Sequence, residues 1–288
     1  MTNVIACIDG SNAATAVCDY AAWASQRLSA PLTLLHVLDH SRYPVSADFS
    51  GNLALGGREH LMEELADLDA KRNRLALEQG KMMLEAASQR ASEAGISDPQ
   101  QRQRHGDLVD TLAELEEEMR LLVIGKQGEE HEGIGAQVGD NVERVIRGLH
   151  RPILVTAGEF QAPKTIMLAF DGSATSRKGV SMLADSPLFQ GLDCHLVTVG
   201  NNHEGLDEAA RQLEQSGHNV QTATLEGEVE PALHQYQQSH NVDLVVMGAY
   251  GHSRIREFFV GSTTNKMIRE AKVPCLLYTS PSPRDATL

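Results

Sequence analysis

A chain of 288 residues, 41% hydrophobic and 22% charged, holds enough apolar material for one large domain or two ordinary ones, which excludes a wholly disordered polymer. Its formal charge of −14 argues against non-specific binding to nucleic acid or to an anionic membrane. The N-terminus has no basic run and reaches Asp9 early, and no stretch approaches eighteen apolar residues. We therefore expect neither a secretory leader nor a membrane span, and a cytoplasmic protein.

In chain order, the first apolar run, Asn3–Ile8, ends in the turn Asp9-Gly10-Ser11, and a second run covers Leu34–Val37. Residues 41–57 are rich in Ser, Pro, Gly and Asn and read as loop. Residues 58–94 read as one long helix with Leu61, Leu65, Leu68, Leu75, Met82 and Ala86 on a 3–4 spacing. Arg72 and Gln79 interrupt that stripe, which argues against a coiled-coil seam. The stripe predicts a helix packed on its own sheet, the alternative being a partner-binding or dimer-forming arm. Strands follow at Leu121–Ile124 and Ile153–Val155, then a linker near Ala157–Pro163. Beyond it the pattern predicts strands at 165–170, 194–199, 219–225, 242–247 and 273–277, with helices at 173–186, 204–216, 229–240 and 262–271. The four cysteines, Cys7, Cys18, Cys194 and Cys275, form no CxxC pair and read as reduced core thiols.

The chain repeats itself. Asn3–Ser11 aligns with Thr165–Ser173 and Leu34–Val37 with Leu196–Val199, both at an offset of 162. Leu121–Gly125 aligns with Leu244–Gly248 at 123, and Arg151–Leu154 with Val273–Leu276 at 122. The falling offset assigns about 40 extra residues to the first copy. Strands alternating with helices of this length predict right-handed βαβ crossovers, hence two tandem doubly wound α/β domains with parallel sheets. The boundaries are 1–157, with a helical insertion at about 41–94, a linker at 158–163, and 164–277. Residues 278–288, with two prolines and no apolar period, read as a non-native or disordered tail.

In an open parallel sheet a ligand sits beyond the carboxyl ends of the strands, where strand order reverses. Two loops of the second copy suit that place. Asp171-Gly172-Ser173 follows its first strand. Gly248-Ala-Tyr-Gly251 and Gly261-Ser262-Thr263 bracket the loop after its fourth strand and lead into a helix. Glycines admit close backbone approach, and a helix N-terminus with hydroxyls is a natural phosphate seat. The first copy instead reads Gly125-Lys-Gln-Gly128, then ten residues before Gly139-Asp140. Residues 125–140 carry a net −3 (Lys126 against Glu129, Glu130, Glu132 and Asp140), whereas 248–263 carry +1 (Arg254 and Arg256 against Glu257). Phosphate favours positive charge and donors, so one nucleotide site, in the second copy, is expected. Gly125-Lys126 lacks the upstream glycine of a nucleoside-triphosphatase phosphate loop, and no spacing supports a Ser-His-Asp triad.

The spacing Gly-x2-Gly-x9-Gly-Ser after a DGS turn resembles the universal stress protein family in its tandem form, over nearly the whole chain to about residue 277. The resemblance implies binding of ATP or another adenine nucleotide, with or without Mg2+. Asp171 and the backbone at Val199 would contact ribose and adenine. Gly248, Gly251, Gly261, Ser262 and Thr263 would hold ribose and phosphates, and Met247 would pack by the sugar. A stress-response sensor or regulator with an unidentified protein partner is implied. So is an intramolecular pseudo-dimer packed through Ile153–Val155 and Cys275–Leu277, with or without a homodimer. The rivals are a nucleotide-independent interaction scaffold working through the 58–94 helix, and an ATP-using enzyme of the same fold group. No residue is assigned as catalytic or as a metal ligand.

Overall fold

Alternating strands and helices appear throughout the computed structural model, which describes residues 2–38, 55–127, 139–200, 204–249 and 262–278; for 55–62, 140 and 262 it describes the backbone alone. The first unit runs β1 (Asn3–Cys7), α1 (Ala14–Leu28), β2 (Leu32–Leu38), α2 (Leu55–Glu93), β3 (Gln100–His105), α3 (Leu108–Glu114), β4 (Met119–Gly125), α4 (Asp140–Gly148) and β5 (Ile153–Thr156). The second runs β6 (Thr165–Ala169), α5 (Ala174–Asp185), β7 (Asp193–Val199), α6 (Leu206–Gln215), β8 (Asn219–Leu225), α7 (Val229–Ser239), β9 (Leu244–Gly248), α8 (Ser262–Glu270) and β10 (Cys275–Tyr278). Each expected strand and helix of the second copy is present, with ends displaced by two residues at most.

All ten strands form one sheet in the order β3-β2-β1-β4-β5-β10-β9-β6-β7-β8. Within each unit every pairing is parallel. The units join by antiparallel pairing of their last strands, Cys275 opposite Val155, Leu276 opposite Leu154 and Leu277 opposite Ile153. These are the strands that the family resemblance implied for the contact. Helices cover both faces, so Val4, Ile5 and Ala6 of β1 and Leu244 and Val246 of β9 are fully buried. Such strands need no polar alternation.

The connection between the units is packed. Phe160 meets Tyr20 of α1 edge to face at 4.8 Å, and the Gln161 amide donates to the Tyr20 hydroxyl at 3.4 Å. Arg27 donates through Nε to the Leu188 carbonyl at 3.2 Å and through a second nitrogen to that of Gln190. Across the seam, Asn265 of α8 donates to the Glu143 carboxylate of α4.

The long insertion helix corrects the expected stripe. At 39 residues it is about 58 Å long. It meets α1, β2 and β3 with Gly80, Leu84, Ala87 and Ala91, while Leu68, Leu75 and Met82 are 60%, 65% and 69% exposed. The reason is steric: a Cβ on Gly80 would lie 2.3 Å from Gln103 Nε2 and 2.5 Å from His36 Cδ2. A helix this close to the sheet edge needs a small residue at Gly80, and Leu68, Leu75 and Met82 turn outward while Leu84 stays inside. The Cys18 thiol donates to the Ala87 carbonyl at 3.2 Å, and Arg90 pairs with Asp19 at 2.6 Å, securing the C-terminal half. The 41–54 part of the predicted loop lies outside the described residues. Among the described residues no helix is long and apolar enough to cross a membrane.

The four cysteines are free thiols, with Cys18, Cys194 and Cys275 buried. Burial pushes Cys18 up to about 11 and both Cys194 and Cys275 up to about 12.

Two outcomes follow. Gly80→Val should lower the unfolding free energy by about 1–3 kcal/mol through overpacking against His36 and Gln103. A urea midpoint equal to wild type would contradict that docking. Because the thiolate is the nucleophile, a raised pKa leaves these thiols protonated until the pH approaches it. Burial and Asp9 push half-buried Cys7 up to about 12 as well, so Ellman's reagent at about pH 8 should modify no thiol rapidly in the folded chain, and four in denaturant.

Candidate functional site

Strand order reverses in the second unit between β6 and β9, where α5 leaves one strand and α8 follows the other. Asp171 lies in the turn after β6. Its Oδ1 accepts from the Ser173 amide at 3.0 Å, Gly172 takes the left-handed φ of +73°, and Ser173 caps α5 by accepting from the Ser176 amide at 3.1 Å. This is why Asp-Gly-Ser occurs here: an acid that fixes the turn, a residue free to adopt positive φ, and a hydroxyl that satisfies a helix donor.

Val199 is half-buried and ends β7, the neighbour of β6. Met247 is buried in β9, opposite Leu277, and Gly248 ends that strand opposite Tyr278. Ser262 is the first residue of α8, and Thr263 follows it, half-buried. Buried Thr264 then donates its hydroxyl to the Gly248 carbonyl at 3.2 Å, tying the first turn of α8 to the end of β9. Asp171, Val199, Met247, Gly248, Ser262 and Thr263 are thus gathered at one end of three adjacent strands, β7, β6 and β9. Gly251 and Gly261, with Arg254 and Arg256, lie outside the described residues.

Two neighbours escaped the sequence reading. Tyr278, placed in the tail by the 277 boundary, is the last residue of β10 and is buried. Its hydroxyl has no hydrogen-bond partner among the described residues, and its ring lies so near Gly179 of α5 that a Cβ there would come within 2.3 Å. Burial, and secondarily the charge of Asp171, push this phenol far above its ordinary range. The apolar run Cys275-Leu-Leu-Tyr278 was the available signal. Residues 279–288 lie outside the described residues. Arg177, exposed on α5, donates through Nε to the Gly172 carbonyl at 3.3 Å, placing a cation on the Asp-Gly-Ser turn.

The first unit has the same turn, with Asp9 Oδ1 accepting from the Ser11 amide at 3.1 Å. Its cation is committed elsewhere. Lys126, just past β4, donates through Nζ to the Ala271 carbonyl of the second unit at 3.2 Å, and burial lowers its pKa. Gly125 is crowded as well, since a Cβ on it would lie 2.9 Å from Ala13 Cβ. The rest of that loop, 128–138, lies outside the described residues.

The sequence profile of the universal stress protein family matches residues 1–157 and 201–279. The chain is similar to universal stress protein Slr1230 of Synechocystis sp. (strain ATCC 27184 / PCC 6803 / Kazusa), at 35% identity over 286 residues covering 96% of this chain and all of that one. A universal stress protein from Archaeoglobus fulgidus DSM 4304 shares the fold over 97% of both chains, with a TM-score of 0.67 at 15% identity. A universal stress protein solved in complex with cAMP matches 41% of this chain and 98% of its own, with a TM-score of 0.36 at 22% identity.

Thr264→Val keeps the shape of the side chain but leaves the Gly248 carbonyl without its donor. It should cost about 1 kcal/mol in urea unfolding, with Thr264→Ser near wild type. Equal midpoints for all three proteins would deny the tie between α8 and β9.

Proposed function

The chain belongs to the universal stress protein family, and from that premise we propose that it binds one adenine nucleotide in its second unit and acts as a cytoplasmic stress-response sensor or regulator. The domains are 1–157 and 164–277, extended by Tyr278. The nucleotide is ATP or a relative, with or without Mg2+. The observation that carries this reading is the start of α8 at Ser262, tied to Gly248 and set beside the Asp171 turn at the β6–β9 reversal.

In this reading the α8 N-terminus faces phosphate with amides and hydroxyls, aided by Gly248, Gly251, Gly261, Ser262 and Thr263. Asp171 accepts from ribose hydroxyls, the Val199 backbone meets adenine, and Met247 supplies an apolar wall to the sugar. The first unit is degenerate, because Lys126 is spent on Ala271 and Asp140 stands where Ser262 stands in the second. A like charge against phosphate disfavours binding there.

A second reading has its own observation. Exposed Leu68, Leu75 and Met82 along α2 suit a scaffold whose partner binds the helix regardless of nucleotide.

Calorimetry with ATP, ADP and AMP, together with chromatography of nucleotide released on denaturation, separates the two. We expect about one adenine nucleotide per chain. The Gly261→Asp/Ser262→Asp double variant should weaken binding by at least about 100-fold, or about 2.7 kcal/mol. An empty wild-type chain that ignores all three nucleotides would end the sensor reading and leave the scaffold.

A further inference from the structure

At the opposite end of α8 a second cluster gathers. Glu230 and His234, one helical turn apart on α7, project from the same face toward Glu270, the last residue of α8. One ligating atom from each lies within 4.8 Å of the others. Two ligands 2.1 Å from a tetrahedral metal sit about 3.4 Å apart, so the remaining closure is a rotamer change of exposed Glu270.

Two features mark this cluster as built for a cation. His234 Nε2 is sealed from solvent and has no hydrogen-bond partner among the described residues, which is uncommon for a buried ring nitrogen without a further role. The last carbonyls of α8 carry the negative end of the helix dipole, and this end already draws an ammonium, with Lys126 Nζ on the Ala271 carbonyl at 3.2 Å.

The facing charges are accounted for. Lys266 Nζ lies 3.3 Å from the Glu230 carboxylate and Arg269 3.2 Å from that of Glu270, with Lys126 nearby. In the absence of metal these cations keep two carboxylates from facing each other uncompensated. A dication between the carboxylates replaces Lys266, whose exposed side chain swings into water.

We propose that Glu230, His234 and Glu270 form a binding site for one divalent transition-metal ion, joining α7 to the C-terminal end of α8. One imidazole and two carboxylates leave an open position for water, the donor set that suits zinc among the available ions. The site is separate from the proposed nucleotide site, about 13 Å along the nine residues of α8. Cys275 lines a small cavity with His234 and Met267, but its sulfur is not among the ligating atoms that converge.

Zinc calorimetry on the full chain, stripped with EDTA and free of nucleotide, tests this beside His234→Ala and Glu270→Gln. His234 is half-buried and Glu270 exposed, and both variants should keep the wild-type circular dichroism. The site predicts one saturable equivalent of zinc, weakened at least about tenfold in each variant. Cobalt in place of zinc should give visible bands without a thiolate charge-transfer band. No saturable zinc binding by wild type, wild-type affinity in either variant, or a thiolate band would overturn the site.

Discussion

Three residue pairs between β5 and β10 are the constraint from which the rest of the arrangement follows. Each unit ends in a four-residue apolar strand, Ile-Leu-Val-Thr or Cys-Leu-Leu-Tyr, with every residue buried. Left as an edge, such a strand would offer unpaired amides and carbonyls to any neighbouring chain. Pairing the two antiparallel hides both edges at once and relates the units by an approximate twofold. It also sets α4 and α8 side by side, so that Asn265 reaches Glu143 and Lys126 reaches Ala271. In the second unit, Tyr278 brings β10 up to Gly248 and under α5, linking the seam to the Asp171 turn.

The seam also explains how two similar units come to differ. A lysine beside a glycine loop would ordinarily be read as a phosphate contact. Here Lys126 is half-withdrawn from water and donates to a carbonyl at the end of α8, where the helix dipole favours it. The first unit thereby gives up its loop cation to hold the second unit in place. In the second unit Arg177, which also faces Glu208 at 3.8 Å, places a cation on the Asp-Gly-Ser turn.

Much of this was legible in the sequence, for identifiable reasons. Strands buried on both faces are unbroken apolar runs, and the offsets between copies set their equivalence, while the seam strands were named by the family resemblance. Asp171, Val199, Met247, Gly248 and Thr263 converge because strand ends in a parallel sheet converge. The stripe on α2 misled because a 3–4 spacing reports an apolar face without saying which face meets the sheet. Close approach at Gly80 selected small residues, a condition set by His36 and Gln103 on other strands. Tyr278 was lost because the prolines that follow it drew the boundary one residue too early. Glu230 and His234 share a helix face, but Glu270 comes from another helix, and only packing brings the three together.

The two equivalent helices, α4 and α8, are each nine residues long and begin at matching places after β4 and β9. A helix start carries partial positive charge and unpaired amides, and something anionic or hydrogen-bonding must answer them. In α4 the first residue is an acid, Asp140. In α8 the first three residues are Ser262, Thr263 and Thr264, and Thr264 is turned to the Gly248 carbonyl. Hydroxyls donate as well as accept, and they bring no charge of their own. The residues that open α8 therefore carry no charge, whereas those that open α4 include a carboxylate. That single exchange of a carboxylate for hydroxyls is, on electrostatic grounds, the difference between the units on which the proposal of a nucleotide site in the second one rests.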